Sequence, residues 1–151
     1  MRKNKKVKRS GGSYNKSVTI ATEAAKSNQD EYLVWCFDKV DNDGCFRFSH
    51  EAMDTQEVLE KIIIYGKRKW KDIEKDTHDH TNKRKHHNLT DFERYSDAAK
   101  ERVRKLQMVE DLDRIFSLAF NNTMRIIGLR IGKEFHPIWY DKDHKFYPSA
   151  K

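Results

Sequence analysis

Three apolar, β-branched and aromatic runs close the chain, DRIFSLAF, TMRIIGLRI and EFHPIWY, separated by only Asn121-Asn122 and Gly132-Lys133. Asn and Gly tolerate positive φ, so each pair can reverse the chain within two residues, and the pattern predicts an antiparallel meander. Alternation sets Phe116, Leu118 and Phe120 on one face of the first run, and Arg125, Ile127, Leu129 and Ile131 on one face of the second. Met124 and Ile126 make the other face of the second run apolar too, as in a central strand covered on both sides. The same alternation puts Arg125 and Arg130 on opposite faces, and His136 on one face with Ile138 and Tyr140.

Upstream, YLVWCFDKV and CFRFS flank Asp41-Asn42-Asp43-Gly44. Asp-Gly is a strong hairpin signal, so a β-hairpin is expected, with Leu33, Trp35 and Phe37 joined on one face by Phe46 and Phe48. A calcium loop is disfavoured, because Lys39 and His50 would stand where ligands are required. Asp54 and Glu57 form a capping box before Val58, Leu59, Ile62 and Ile63 at helical spacing, and Gly66 ends that helix. A short second helix would carry Trp70 and Ile73. Thr90 and Glu93 suggest a second capping box for a helix from Asp91 to about Gln107. The fold class is therefore α+β: an antiparallel sheet of about five strands, made of the N-terminal hairpin and the C-terminal meander, with two or three helices packed on one face.

Charge divides the chain. Arg2, Lys3, Lys5, Lys6, Lys8, Arg9 and Lys16 carry +7 with no acid among residues 1–16, equal to the formal +7 of all 151 residues. Residues 1–28 are polar and Gly/Ser-punctuated, so a disordered basic arm is expected there and a single domain over 29–151. No run approaches the roughly 18 apolar residues that span a bilayer, and no apolar segment follows the charged N-terminus, so no membrane contact and a cytoplasmic location are expected. Cys36 and Cys45 are expected to be reduced.

Two groups of residues could carry chemistry. Lys67, Arg68 and Lys69, with Lys83, Arg84, Lys85, His86 and His87, form a basic region suited to phosphate, and the polar stretch 76–88 is long for a connection in a compact domain. Its His78, His80, His86 and His87 offer imidazoles, but H-x-H and H-H are not the spacing of a common structural zinc site, so no metal and no cofactor are expected. The second group lies at the end of the meander: Arg125, His144, Lys145 and Tyr147. Such side chains can cleave RNA without a metal, a base taking the 2′-hydroxyl proton, an acid protonating the leaving oxygen, and a cation stabilising the phosphorane. The alternative for each residue is a structural one, a polar tip over an apolar body.

Residues 36–148 resemble a family of small uncharacterised proteins of bacteria and mobile elements. The resemblance is carried by Trp70-Lys71-Asp72-Ile73, His86-His87-Asn88-Leu89, Ala99 with Arg102 and Leu106, and R-I-I-G-x(6)-F-H-x-x-W-Y-D-x-D-H-x-x-Y from Arg125 to Tyr147. More distantly, helices followed by a three-stranded meander with an early strand Arg and a late His/Lys/Tyr group are similar to the RelE/ParE toxins. That resemblance implies a ribonuclease toxin (mRNA interferase) of a toxin-antitoxin pair, with Arg125 as the strand arginine and His144, Lys145 and Tyr147 as the terminal group. The partners it implies are RNA or a ribonucleoprotein, and a protein antitoxin. The competing reading is a non-catalytic mobile-element module that inhibits or redirects a host nucleoprotein.

Overall fold

The computed structural model describes residues 28–48, 53–78 and 81–149. The arm expected over residues 1–28 lies, up to residue 27, outside the described residues. The fold is α+β, built on one five-stranded sheet. In chain order the strands are β1 (Val34–Trp35), β2 (His87–Asn88), β3 (Ile115–Ala119), β4 (Arg125–Ile131) and β5 (Glu134–Asp141). Their spatial order is β1-β5-β4-β3-β2, and every pairing is antiparallel except that of β1 with β5.

The meander forms as its breaks predict. Gly132, at φ +60°, turns β4 into β5. At the other break Asn121 Oδ1 accepts from the amides of Thr123 and Met124, closing the loop between β3 and β4. Gly128 answers a different demand: a Cβ there would lie 2.1 Å from the His136 carbonyl oxygen. The register slips at this point, with Ile127 opposite Trp139 but Gly128 opposite Pro137. That bulge inserts Ile138 and breaks the expected parity. His136 pairs with Leu129 on one side of the sheet, while Tyr140 packs in the core on the other.

The N-terminal hairpin does not form. Instead β1 lies parallel to β5, Val34 beside Glu134, and residues 41–48 run over the end of β5 without strand structure. Asp41 explains the difference. Its buried carboxylate accepts from Arg102 Nε and Nη2, both at 2.8 Å, and from Trp139 Nε1 at 3.0 Å, while its amide donates to the Ile138 carbonyl. Leaving these buried groups unpaired would cost more than losing a turn whose polar groups water can satisfy. Phe46 consequently enters one core and Phe48 packs against the other.

The helices also occupy both faces rather than one. Helices α1 (Thr55–Gly66) and α2 (Trp70–Glu74) bury Val58, Tyr65, Trp70 and Ile73 against Phe116, Leu118, Ile126 and Phe135. Helix α3 (Asp97–Lys105) buries Ala99 and Val103 against Ile115, Ile127, Leu129 and Trp139 on the opposite face. Asp54 caps α1 by accepting from the Glu57 amide, as expected, while the Glu57 carboxylate accepts from Asn121 Nδ2. By contrast, residues 92–94 form a separate 3-10 turn, and α3 begins where the Ser96 hydroxyl accepts from the Ala99 amide. Among the described residues no helix is long and apolar enough to cross a membrane.

Candidate functional site

Arg125 opens β4 on the α3 side of the sheet, between Ala119 of β3 and Asp141 of β5. It is 95 % buried, and its Nε and Nη1 make no hydrogen bond. Burial pulls its pKa below the usual arginine value, against the opposing pull of Asp141; a guanidinium nevertheless stays charged in proteins, so this is a fixed cation with two donors to offer. Asp141 is otherwise engaged. Its two oxygens accept from the Lys145 and Phe146 amides at 2.9 Å, and burial pushes its pKa up.

These two hydrogen bonds close residues 141–146 into a tight loop, within which His144 sits at φ +57°. His144 is half-buried. Burial and then the Arg125 charge lower its pKa, opposed by the Tyr147 backbone. His87 of β2 pairs with Ser117, two rows of the sheet from the Ala119–Arg125–Asp141 row and so on the same face. His87 is exposed as a residue, yet its ring is partly desolvated, and its pKa falls for that reason first, then through Arg125, His144 and His78. The Ser117 hydroxyl, 99 % buried in the same row, makes no hydrogen bond. His87 and His144 therefore both feel the charge of an arginine that has two donors to spare.

The other expected site residues go elsewhere. Lys145 is exposed beside the turn, next to a cleft of about 530 Å³ between Phe46, Ser96, Tyr140 and Asp141. Tyr147 is buried in the α3-side core, edge-on to Tyr95 with its rings 5.4 Å apart and the Arg94 guanidinium 4.4 Å over its face. His86 projects opposite to His87 and is buried beside Tyr65. Its Nδ1 accepts from the Ala119 amide at 2.9 Å, so Nε2 carries the proton toward Asp76 Oδ2, also at 2.9 Å, and burial pushes its pKa down to about 4. Arg68 is committed to the same Asp76 through two bonds of 2.6 and 2.7 Å. Lys67, Lys83 and Arg84 are exposed, Lys85 is half-buried, and Lys69 lies over the Tyr32 ring.

One constellation escaped the sequence reading. Cys36, just past β1, meets Glu134 and His136 of β5, with their donor atoms all within 4.8 Å of one another. The Asp38 carboxylate lies 2.5 Å from His136 Nδ1, and Glu134 Oε2 lies 3.1 Å from Nε2. Burial, Glu134 and Asp38 together push the Cys36 thiol up. The E-x-H spacing puts Glu134 and His136 on one strand face, but only the parallel pairing of β1 with β5 brings Cys36 to them. No family model, no curated protein and no solved structure matches the chain.

Proposed function

We propose that the chain is an RNA-directed protein that cleaves the RNA backbone without a metal, at the junction of β2, the start of β4 and the 141–146 turn. One of His87 and His144 takes the 2′-hydroxyl proton as the 2′-oxygen bonds to phosphorus. The other protonates the 5′-oxygen as its bond to phosphorus breaks, leaving a 2′,3′-cyclic phosphate and a 5′-hydroxyl. Arg125 Nε and Nη1 donate to the charge that builds on the phosphorane. Lys83, Arg84 and Lys145 lie exposed where they can follow the flanking phosphates. Tyr147, which the resemblance to RelE-like toxins would make part of the catalytic group, is packed in the core against Tyr95 and takes no part in this step.

The observation that carries the reading is that the charge of Arg125, buried with two unfilled donors, helps to lower the pKa values of both His87 and His144. Single-stranded RNA incubated with the protein in chelator should yield cyclic-phosphate ends. His87→Gln and His144→Gln should each slow this by roughly 10²- to 10⁴-fold, the usual contribution of a general acid or base. Because both imidazoles are shifted downward, the rate should peak on the acidic side of neutrality. If the double variant stays folded and cleaves as fast as the parent, the catalytic assignment is lost. A non-catalytic RNA-binding module is favoured by the open edge of β2, where His87, Arg84 and Lys83 are exposed. It predicts binding by the same assay mixture with no new RNA ends.

A further inference from the structure

Where β1 meets β5, His136 is 94 % buried and faces a carboxylate at each ring nitrogen. A neutral imidazole has a single N–H, so it can donate to only one of them and must turn a lone pair toward the other. The Cys36 sulfur adds a third electron-rich group to the same few ångströms. Such a set is unfavourable by itself and suits a borderline-soft cation, which accepts thiolate, imidazole and carboxylate together.

We propose that Cys36 Sγ, His136 Nε2 and Glu134 Oε2 form a binding site for a divalent transition metal of the zinc type, with Asp38 orienting His136 through its Nδ1–H. The spacing supports it: ligands about 2.0–2.3 Å from one tetrahedral ion lie roughly 3–4 Å apart. The 3.1 Å separation of Nε2 and Glu134 Oε2 is already in that range, and all three donor atoms lie within 4.8 Å of one another, so side-chain adjustments alone can close the site. A carboxylate on the far nitrogen of a metal-binding histidine is the usual means of fixing its tautomer and orientation. Three protein ligands leave a fourth position for water. The ion would also tie the short edge strand β1 to β5, and this site stands apart from the RNA reading.

Titration of the full-length protein with cobalt(II) tests the proposal, because cobalt takes zinc-type sites and a thiolate ligand gives it an intense near-ultraviolet charge-transfer band. One equivalent should develop that band, zinc should displace it, and the melting temperature should rise with metal concentration. Cys36→Ser should abolish the band, whereas Cys45→Ser should leave it. Asp38→Asn, at an exposed position that does not endanger folding, should weaken binding roughly tenfold to a hundredfold while keeping the band. Absence of the band at one equivalent overturns the site. So does a band that persists undiminished in Cys36→Ser, since it would then arise from Cys45.

Discussion

His86 and His87 are neighbours in sequence and opposites in structure. Strand alternation turns His86 toward α1, where both nitrogens are bound, one by the Ala119 amide and the other by Asp76. It turns His87 to the other face and the open edge, toward Arg125 and His144. The first belongs to a closed network in which Asp76 also holds Arg68 and the Lys85 amide reaches the Asp76 carbonyl. The second belongs to a set whose donors are unfilled. A saturated buried polar group supports the fold, and an unsaturated one of similar composition is where a ligand would be welcome.

Breaking the closed network should cost the most stability. Asp76→Ala removes a carboxylate that holds two partners, and since hydrogen bonds to charged groups are each worth about 1.5–3 kcal/mol, a loss of about 3–4 kcal/mol is expected from urea unfolding. His86 should impose a pH dependence of nearly that size. Its pKa in the fold, about 4, lies below the ordinary 6.5, so the unfolded chain takes up a proton that the folded chain refuses. That stability is complete above pH 6.5 and is lost as pH falls toward 4, by about 3 kcal/mol across the window. His86→Gln should flatten this acid limb; an equally steep limb in the variant would show that another group causes it.

On the open side the same measurements should barely move. His87→Gln should shift stability by no more than about 0.5 kcal/mol, as for an ordinary exposed position. Should it unfold the protein like Asp76→Ala, the contrast between the two histidines disappears. The smallest effect is expected at the loop edge. Lys83→Ala and Arg84→Ala should each lower the salt slope of RNA binding by about 1 and weaken all RNA sequences alike.

The meander, its turn residues and the cap of α1 were legible because each depends on residues a few positions apart. Asn121 and Gly132 carry their geometry with them, and so does Asp54. The hairpin expected around Asp41–Gly44 was as strong a local signal and failed, because its outcome depended on Arg102 and Trp139, which no local pattern links to Asp41. The placement of helices on both faces follows from the same cause: apolar stripes say that a helix packs, not on which side of the sheet. Arg125 and His144 were marked as site residues by sequence, whereas His87 was grouped with a phosphate-binding loop. The pairing of β2 with β3, set by only two residues, is what moved it next to Arg125.

The parallel pairing of β1 with β5 joins Val34 to Glu134, positions a hundred residues apart. Contacts of such long separation are slow to form, since the intervening chain must first be drawn in. During synthesis an emerging chain therefore has nothing for β1 to dock on until β5 has been made. The Cys36–His136 cluster likewise waits for β5, which supplies two of its three donor groups, so a chain cut short before β5 would lack that cluster.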